Sequence, residues 1–313
     1  MQINIKDIWS ASVRRTHNEY VRHILHGARL APGSLLSVLI SRHYDDFALG
    51  RPKRLRNIIN TAKEISKFSC KATYADFLGE CKAVFDYGKF SDKNTKGWNA
   101  YRLCETSKYQ MCPYCQQAGA LTIFRDSDDM AFRPTLDHFY PKAQYPFLAL
   151  SLFNLVPSCH TCNSSLKTTK DFYVEPHLHP FEDQEFIRFT WNIDDYRRQR
   201  EGVGPMAGSL ASTGVGISLI QSANPKQKAI KNSIKTFLIE ERLNLNLHSL
   251  RNFQEAVLVH TPASLAEINA KVFSQAGWQL TEEVALQFSY RDYKNEWHGR
   301  IKADLRDIAW GRR

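Results

Sequence analysis

The sequence predicts an α+β fold that is mostly helical, with a short β-containing module in the middle of the chain. In residues 1–100 and 191–313, apolar residues recur mainly every three or four positions, which is typical of amphipathic helices. From residue 112 to about residue 183, short apolar segments, polar turns and close-set cysteines replace this pattern. We therefore divide the 313 residues into a helical basic N-terminal region (1–100), a central module (101–190) and a mostly helical C-terminal region (191–313).

The individual elements follow from periodicity and from turn residues. Helices are predicted over residues 5–26, 34–43, 51–68, 73–85, 225–245, 248–260, 262–275 and 282–294. In the central module, residues 121–125 and 132–136 flank a polar turn at 126–129 and predict a β-hairpin. Further short strands are expected at 153–157 and 186–193, a short helix at 163–169, and a glycine-rich loop at 202–216.

The composition excludes a disordered chain and a membrane-spanning protein. Hydrophobic residues make up 43% of the chain and charged residues 24%, which is typical of a globular protein. The sequence contains no apolar run near the ~20 residues that a membrane helix needs. We expect no membrane association, and because no secretory signal is visible we expect a cytoplasmic protein.

The net charge of +10 favours an anionic partner such as nucleic acid. The balance of basic over acidic residues is +8 in residues 1–100, −2 in 101–190 and +4 in 191–313. A slightly acidic module between basic flanks suits a divalent cation in the middle and a polyanion around it. Solvated basic helix faces explain the same numbers equally well.

Two C-x2-C pairs are separated by 43 residues in the central module, and their members are Cys112, Cys115, Cys159 and Cys162. Two such pairs can supply the four thiolates of a tetrahedral Zn²⁺ site, whereas a single pair is also compatible with redox chemistry. Four sulfur ligands leave no coordination position for substrate. We therefore predict a structural zinc.

Between these pairs lies Asp137-His138, at the end of a predicted strand, and Asn163 directly follows Cys162. Asp137 can offer a hard oxygen ligand to Mg²⁺ or Mn²⁺, and Asn163 can offer a second one. His138 can take a proton from water near neutral pH. An isolated Asp-His pair is more often a surface turn, but here it falls inside the cysteine frame.

The ordered motifs C-P-Y-C, L-D-H-F-Y-P-K, N-L-V-P-S-C and C-x-x-C-N resemble those of the HNH endonucleases, over residues 112–180. The resemblance implies a ββα-metal fold, metal-dependent hydrolysis of DNA and a structural Zn²⁺. By position, Asp137 and Asn163 would hold the catalytic Mg²⁺ or Mn²⁺, with Asn163 replacing the last histidine of the motif. His138 would be the general base, and Asn154 would hold the catalytic loop by hydrogen bonds.

Some positions depart from that pattern or extend it. Lys167 follows Asn163 by four residues where three is common in the family, so its contact with phosphate is in doubt. His177 and His179 resemble a His-Pro element found after the motif; His179 is the candidate metal contact, and a structural loop histidine is the alternative. Lys142 is a candidate phosphate contact or a solvated lysine.

Four cations, Arg51, Lys53, Arg54 and Arg56, precede the apolar run at 58–68 and therefore lie at a predicted helix entrance. Cations there oppose the helix dipole, which contact with a nucleic-acid phosphate would offset.

Residues 237–248 resemble, more weakly, the downstream part of HNH effectors of Septu-type and retron-associated anti-phage systems. This resemblance implies a role in anti-phage defence and an ATPase or a retron subunit as partner. Cutting both strands with one metal centre would need a homo-oligomer or two successive nicks. Two alternatives stay open: RNA as the substrate, and a zinc-stabilised binding module without turnover.

Overall fold

The computed structural model describes residues 2–125, 131–200, 214–219, 225–243, 247–275 and 277–312. About half of the chain is helical, and the described strands form two antiparallel sheets of two strands each. The α+β prediction is thereby confirmed. No helix within these described residues combines the length and the apolar character needed to cross a membrane.

The chain divides into two compact units. One unit consists of Asn4–Pro113 and Gly119–Gln184, and the other consists of Met1–Ile3, Tyr114–Ala118 and Glu185–Arg313. The division of the chain into residues 1–100, 101–190 and 191–313, which rests on the sequence, stays a prediction.

The first unit begins with a group of helices. They are α1 (Ala11–Gly27), α2 (Leu35–His43), α3 (Asp46–Leu49), α4 (Pro52–Lys67), α5 (Lys71–Val84), α6 (Tyr87–Ser91) and α7 (Ala100–Glu105). The hydroxyl of Ser10 accepts a hydrogen bond from the Val13 amide, which explains why α1 begins after residue 10 and not at the predicted residue 5. Pro52 begins α4 because it has no amide hydrogen to leave unsatisfied.

The sheet of this unit joins β1 (Thr135–His138) to β2 (Leu155–Ser158), with Asp137 opposite Val156. The predicted hairpin forms only in part: an antiparallel bridge joins Ile123 to Phe132, each amide donating to the other's carbonyl (2.9 and 3.0 Å), whereas residues 135–136 pair with β2. Ile123 is half exposed, whereas every residue of β2 is buried, so pairing with β2 buries more apolar surface. The predicted turn at 126–129 lies outside the described residues.

Short helices separate and follow these strands. Two 3-10 turns, Pro146–Leu148 and Leu152–Asn154, precede β2, so this strand begins two residues later than predicted. After β2, residues Thr161–Lys167 form a π-helix, and the Thr168 amide donates to the Asn163 carbonyl five residues earlier (2.9 Å).

In the second unit, β3 (Ile187–Trp191) pairs antiparallel with β4 (Val215–Leu219). The helices are α8 (Ile193–Arg200), α9 (Gln227–Thr236), α10 (Ile239–Leu243), α11 (Leu247–Val259), α12 (Pro262–Lys271), α13 (Glu282–Leu286) and α14 (Gly299–Ala309). The predicted helix 282–294 ends early because Gln287 adopts a left-handed backbone conformation (φ 46°). Helix α14 was not predicted. Of the predicted loop, residues 202–213 lie outside the described residues.

Buried polar side chains tie each unit together. Asp304 of α14 accepts hydrogen bonds from the Phe189 amide (2.9 Å) and from Arg300 (2.7 Å). In the first unit, the Nε2 atom of His17 donates to the Leu150 carbonyl (2.7 Å), and its Nδ1 atom accepts from the Trp98 indole (3.1 Å). Both histidine nitrogens are therefore satisfied by the neutral ring, and burial lowers the pKa of His17 to about 4.

We predict that His17→Ala lowers the free energy of unfolding at neutral pH by about 2–4 kcal/mol, because the Leu150 carbonyl and the Trp98 N–H lose their partner in the core. His23→Ala, at an exposed position of the same helix, is the matched control and should change stability by less than about 0.5 kcal/mol. Urea denaturation followed by circular dichroism measures both. Equal stability of the two variants would contradict a structural role for His17.

Candidate metal centre and catalytic cleft

The four cysteines of the two C-x2-C pairs come together in the folded chain. Their sulfur atoms all lie within 4.8 Å of one another, and the side chains of Cys112, Cys115 and Cys162 have no solvent exposure. Tetrahedral zinc bound at ~2.3 Å by four thiolates places those sulfurs roughly 3.8 Å apart. The cluster therefore has the composition and compactness that a metal such as zinc needs.

Backbone amides add hydrogen bonds to this sulfur cluster. The Cys162 amide donates to the Cys159 Sγ atom, and the Gln117 amide donates to the Cys115 Sγ atom, both at 3.4 Å. Such bonds spread the negative charge of a thiolate and orient its lone pairs. They favour metal-bound thiolates at these positions.

A cleft of about 380 Å³ lies beside β1. Its walls include Tyr87, Asp137, His138, Lys142, Asn163 and Lys167. Successive residues of a strand point to opposite faces, so β1 directs Asp137 and His138 differently although both border the same space. The structure thus brings together the predicted carboxylate, imidazole and carboxamide.

His138 is buried, and its surroundings fix its tautomer. The Nε2 atom lies 3.0 Å from the Ala149 carbonyl oxygen. Because a carbonyl oxygen can only accept, Nε2 carries the proton and Nδ1 keeps its lone pair. The Tyr87 ring meets the imidazole edge-on, with ring centroids 4.4 Å apart.

Burial is the largest influence on the pKa of His138, which is lowered to about 3. The nearby cations Lys142 and Lys167 lower the pKa further, whereas the hydrogen bond to Ala149 opposes the shift. In the free protein the ring is therefore neutral at physiological pH, which is the protonation state a base requires.

Asp137 and Lys167 form an ion pair in the wall of the cleft. The two side chains are 1% and 2% exposed, and the Lys167 Nζ atom lies 2.5 Å from Asp137 Oδ1. The same ammonium group also donates to the His138 carbonyl oxygen. The sequence makes Lys167 a candidate phosphate contact, but in the structure its charge is directed to a carboxylate and a backbone carbonyl.

Asn154 has no solvent exposure, and its side chain binds three backbone groups. It accepts from the Tyr140 amide (2.8 Å) and donates to the carbonyls of Tyr140 (3.1 Å) and Leu148 (3.0 Å). The side chain thus holds the segment that follows β1 against the turn that precedes β2.

Asn163 is half-buried in the π-helix and borders the cleft. The wider turn of this helix accommodates the four-residue spacing between Asn163 and Lys167, and Lys167 reaches Asp137 from its last position.

The two candidate histidines after the motif are packed against aromatic rings. His179 stacks on Phe139 with ring centroids 3.9 Å apart, and its Nδ1 atom accepts from the Phe181 amide (3.2 Å). His177 stacks on Phe172 (3.7 Å), and burial lowers its pKa to about 4. Among the described residues that line the cleft, neither histidine occurs. Both rings are thus buried against aromatic side chains, and the metal contact of His179 stays a prediction.

The predicted nucleic-acid contacts differ in their surroundings. Arg56 donates to Glu182 (3.0 Å) and to the Tyr140 hydroxyl (3.1 Å), and the Arg51 guanidinium lies over the Phe153 ring (4.0 Å). These two therefore hold α4 to the rest of the unit. Lys53 and Arg54 are exposed, as is Lys142, whose ammonium lies 4.4 Å from the centre of the Tyr87 ring.

Two groups that contact His138 were not predicted from the sequence. Tyr87 borders both His138 and Lys142, and the Ala149 carbonyl selects the imidazole tautomer. Tyr87 precedes Asp137 by 50 residues, and the position of a backbone carbonyl cannot be read from a sequence. No local pattern identifies either of them.

Comparisons with known proteins give little further information. No family model matches the chain, and no solved structure matches it. Protein ea31 of Escherichia phage lambda is 32% identical over 103 residues, which are 32% of this chain. The matched part spans about a third (31%) of that phage protein. A similarity of this extent assigns no family.

We predict that Cys159→Ser abolishes stoichiometric zinc binding and lowers the melting temperature, because a structural metal contributes its binding free energy to folding. Cys70→Ser is the matched control: Cys70 caps α5 through its sulfur, and serine is itself a good capping residue. Zinc content by plasma mass spectrometry and thermal unfolding test both variants. Full zinc content in Cys159→Ser would contradict the four-thiolate site.

Proposed function

We propose that this protein is a metal-dependent endonuclease of the HNH type that hydrolyses phosphodiester bonds of DNA. The observation that carries the proposal is the state of His138: a neutral imidazole with Nε2 bound to Ala149 and a lone pair on Nδ1, in the same cleft as Asp137 and Asn163. A base, a carboxylate and a carboxamide are the groups that metal-assisted phosphodiester hydrolysis needs. The order β1, β2, short helix agrees with a ββα module.

The residues at the cleft fit a divalent cation by their chemistry. Asp137 supplies carboxylate oxygen and Asn163 supplies amide oxygen, and hard cations such as Mg²⁺ and Mn²⁺ prefer oxygen ligands and retain several waters. When bound, the cation would stabilise negative charge on the scissile phosphate and on the leaving oxygen. The zinc of the cysteine cluster has no open position and serves the fold alone.

In this proposal, the Nδ1 atom of His138 accepts a proton from the attacking water as the water oxygen bonds to phosphorus. The bond from phosphorus to the leaving oxygen breaks, and that oxygen receives a proton from solvent. The Ala149 carbonyl keeps its bond to Nε2 and stabilises the imidazolium that forms. A phosphate anion in the cleft also raises the proton affinity of His138, which opposes the effects of burial and of the two lysines.

The choice of a nucleic acid as the substrate rests on charge, and the choice of DNA over RNA rests on the resemblance to the HNH endonucleases alone. The chain carries a net charge of +10, and Lys142 stands exposed at the cleft. Lys53 and Arg54 are exposed in the first turn of α4, in the same unit. Exposed cations near a cleft attract a polyanion and release its counterions on binding. A defence role with an ATPase or a retron subunit is proposed from the resemblance of residues 237–248 alone.

We expect His138→Ala to retain its fold and its zinc but to lose at least about 10²-fold in cleavage rate, since removal of a general base has this effect. His160→Ala, an exposed histidine next to the cysteine cluster, should retain wild-type activity. Plasmid nicking with Mg²⁺, with Mn²⁺ and with EDTA measures this. Undiminished nicking by His138→Ala would refute the assigned base. A wild-type protein that is inactive under all metal conditions, with the proposed partner subunit present, would refute the endonuclease.

The pH profile tests the same residue independently. Because the pKa of His138 is lowered to about 3 from its ordinary value of 6.5, the base stays unprotonated as the pH falls. In the metal-free and DNA-free protein, the imidazole resonances of His138, assigned by NMR through their absence in His138→Ala, should therefore show no titration between about pH 8 and pH 5.5. A titration midpoint near pH 6.5, in protein shown by circular dichroism to be folded, is the contrary result.

A further inference from the structure

Lys167 places a positive charge at the carboxylate to which the metal site is assigned. Its ammonium is 2% exposed, donates to Asp137 Oδ1 at 2.5 Å and also bonds the His138 carbonyl. The Phe172 ring lies 5.0 Å from the same nitrogen. Burial weakens the screening of this charge by water, so a cation that approaches Asp137 is repelled by the Lys167 ammonium.

The backbone holds Lys167 in this position. Residues Thr161–Lys167 form a π-helix, a rare conformation that is frequently found at functional sites. The residue that closes it, Thr168, has a left-handed backbone (φ 51°), which is unfavourable for a β-branched residue. The chain therefore accepts an unusual backbone at the point where the ammonium reaches the carboxylate.

We propose that Lys167 is a built-in cation of the cleft that competes with the divalent metal for Asp137 and thereby sets the metal affinity. In the metal-free protein it neutralises a buried carboxylate that would otherwise be costly to keep ionised. With metal bound, its repulsion weakens the site. Lys167 acts through Asp137 and is a positioning residue. The inference rests on the proposed metal-dependent function.

We predict that loss of the Lys167 charge strengthens Mn²⁺ binding and slows DNA cleavage. Lys167→Met removes the competing charge, so Mn²⁺ should bind at least about tenfold more tightly, while cleavage slows because Asp137 and the His138 carbonyl lose their anchor. Lys167→Arg keeps the charge and should remain close to wild type in Mn²⁺ affinity. Lys170→Met is the matched control, because the ammonium of this exposed lysine donates to the local Leu166 carbonyl.

The test measures Mn²⁺ alone, without DNA, on full-length protein whose cysteine cluster is saturated with zinc. Electron paramagnetic resonance of free Mn²⁺ gives the dissociation constant for each variant. Asp137→Ala combined with Lys167→Met identifies the site, since the gained affinity should disappear in the double variant. Zinc content and circular dichroism verify that each protein is folded, and Lys167→Gln replaces Lys167→Met where methionine prevents folding.

The outcomes separate this inference from the proposed function. Unchanged or weaker Mn²⁺ binding in folded Lys167→Met overturns the inference, even when the wild-type protein cleaves DNA. Tighter binding supports it, even when the nicking assay fails and the endonuclease is refuted. Absence of Mn²⁺ binding in all variants overturns both the inference and the metal dependence. Failure of both the methionine and the glutamine variant to fold assigns the ion pair to stability and overturns the inference.

Discussion

The antiparallel pairing of β1 with β2 is the constraint on which the cleft depends. Its register sets His138 opposite Leu155 and Asp137 opposite Val156. A slip by one residue would exchange the two faces of β1 and would turn the carboxylate and the imidazole away from their present partners. Asn154 prevents such a slip, because its side chain binds both backbone groups of Tyr140 where the ladder ends.

The sequence predicts which residues form the site better than it predicts the contacts between them. Cysteine spacing predicted the sulfur cluster, because two C-x2-C pairs have few other uses in one chain. Periodicity predicted most helices but not the short helices α3, α6 and α7, nor α8 or α14. In α14 the buried Arg300, Asp304 and Arg306 interrupt the apolar stripe. These charges pair with one another or with neighbours in the same unit, so tertiary contacts override the local pattern.

The strand partner of β1 was equally hidden. Residues 121–125 are close in sequence and made a plausible hairpin, but pairing is decided by which strand is buried on both faces. The roles of Ala149 and Lys167 were out of reach for a related reason. Each depends on a contact between segments that are 11 and 30 residues apart, and no local spacing encodes such a contact.

The electrostatics of the cleft are biased against positive charge in the free protein. His138 is kept neutral by burial and by Lys142 and Lys167, and Asp137 is already paired. An anion that enters this space is attracted by the exposed lysine, and it raises the basicity of the imidazole against the effect of the two lysines. The cleft is thus better suited to an anionic guest than its small number of exposed cations would suggest.

The π-helix also restricts insertions and deletions in this part of the chain. Its first turn is held by Cys162, whose sulfur belongs to the four-cysteine cluster, and its last residue is held by Asp137. No loop between Cys162 and Lys167 can accommodate an insertion or a deletion, because both residues are held in place. The helix between them already has the wider turn of a π-helix. A change of length between Cys162 and Lys167 should therefore displace either the Cys162 sulfur from the cluster or the Lys167 ammonium from Asp137.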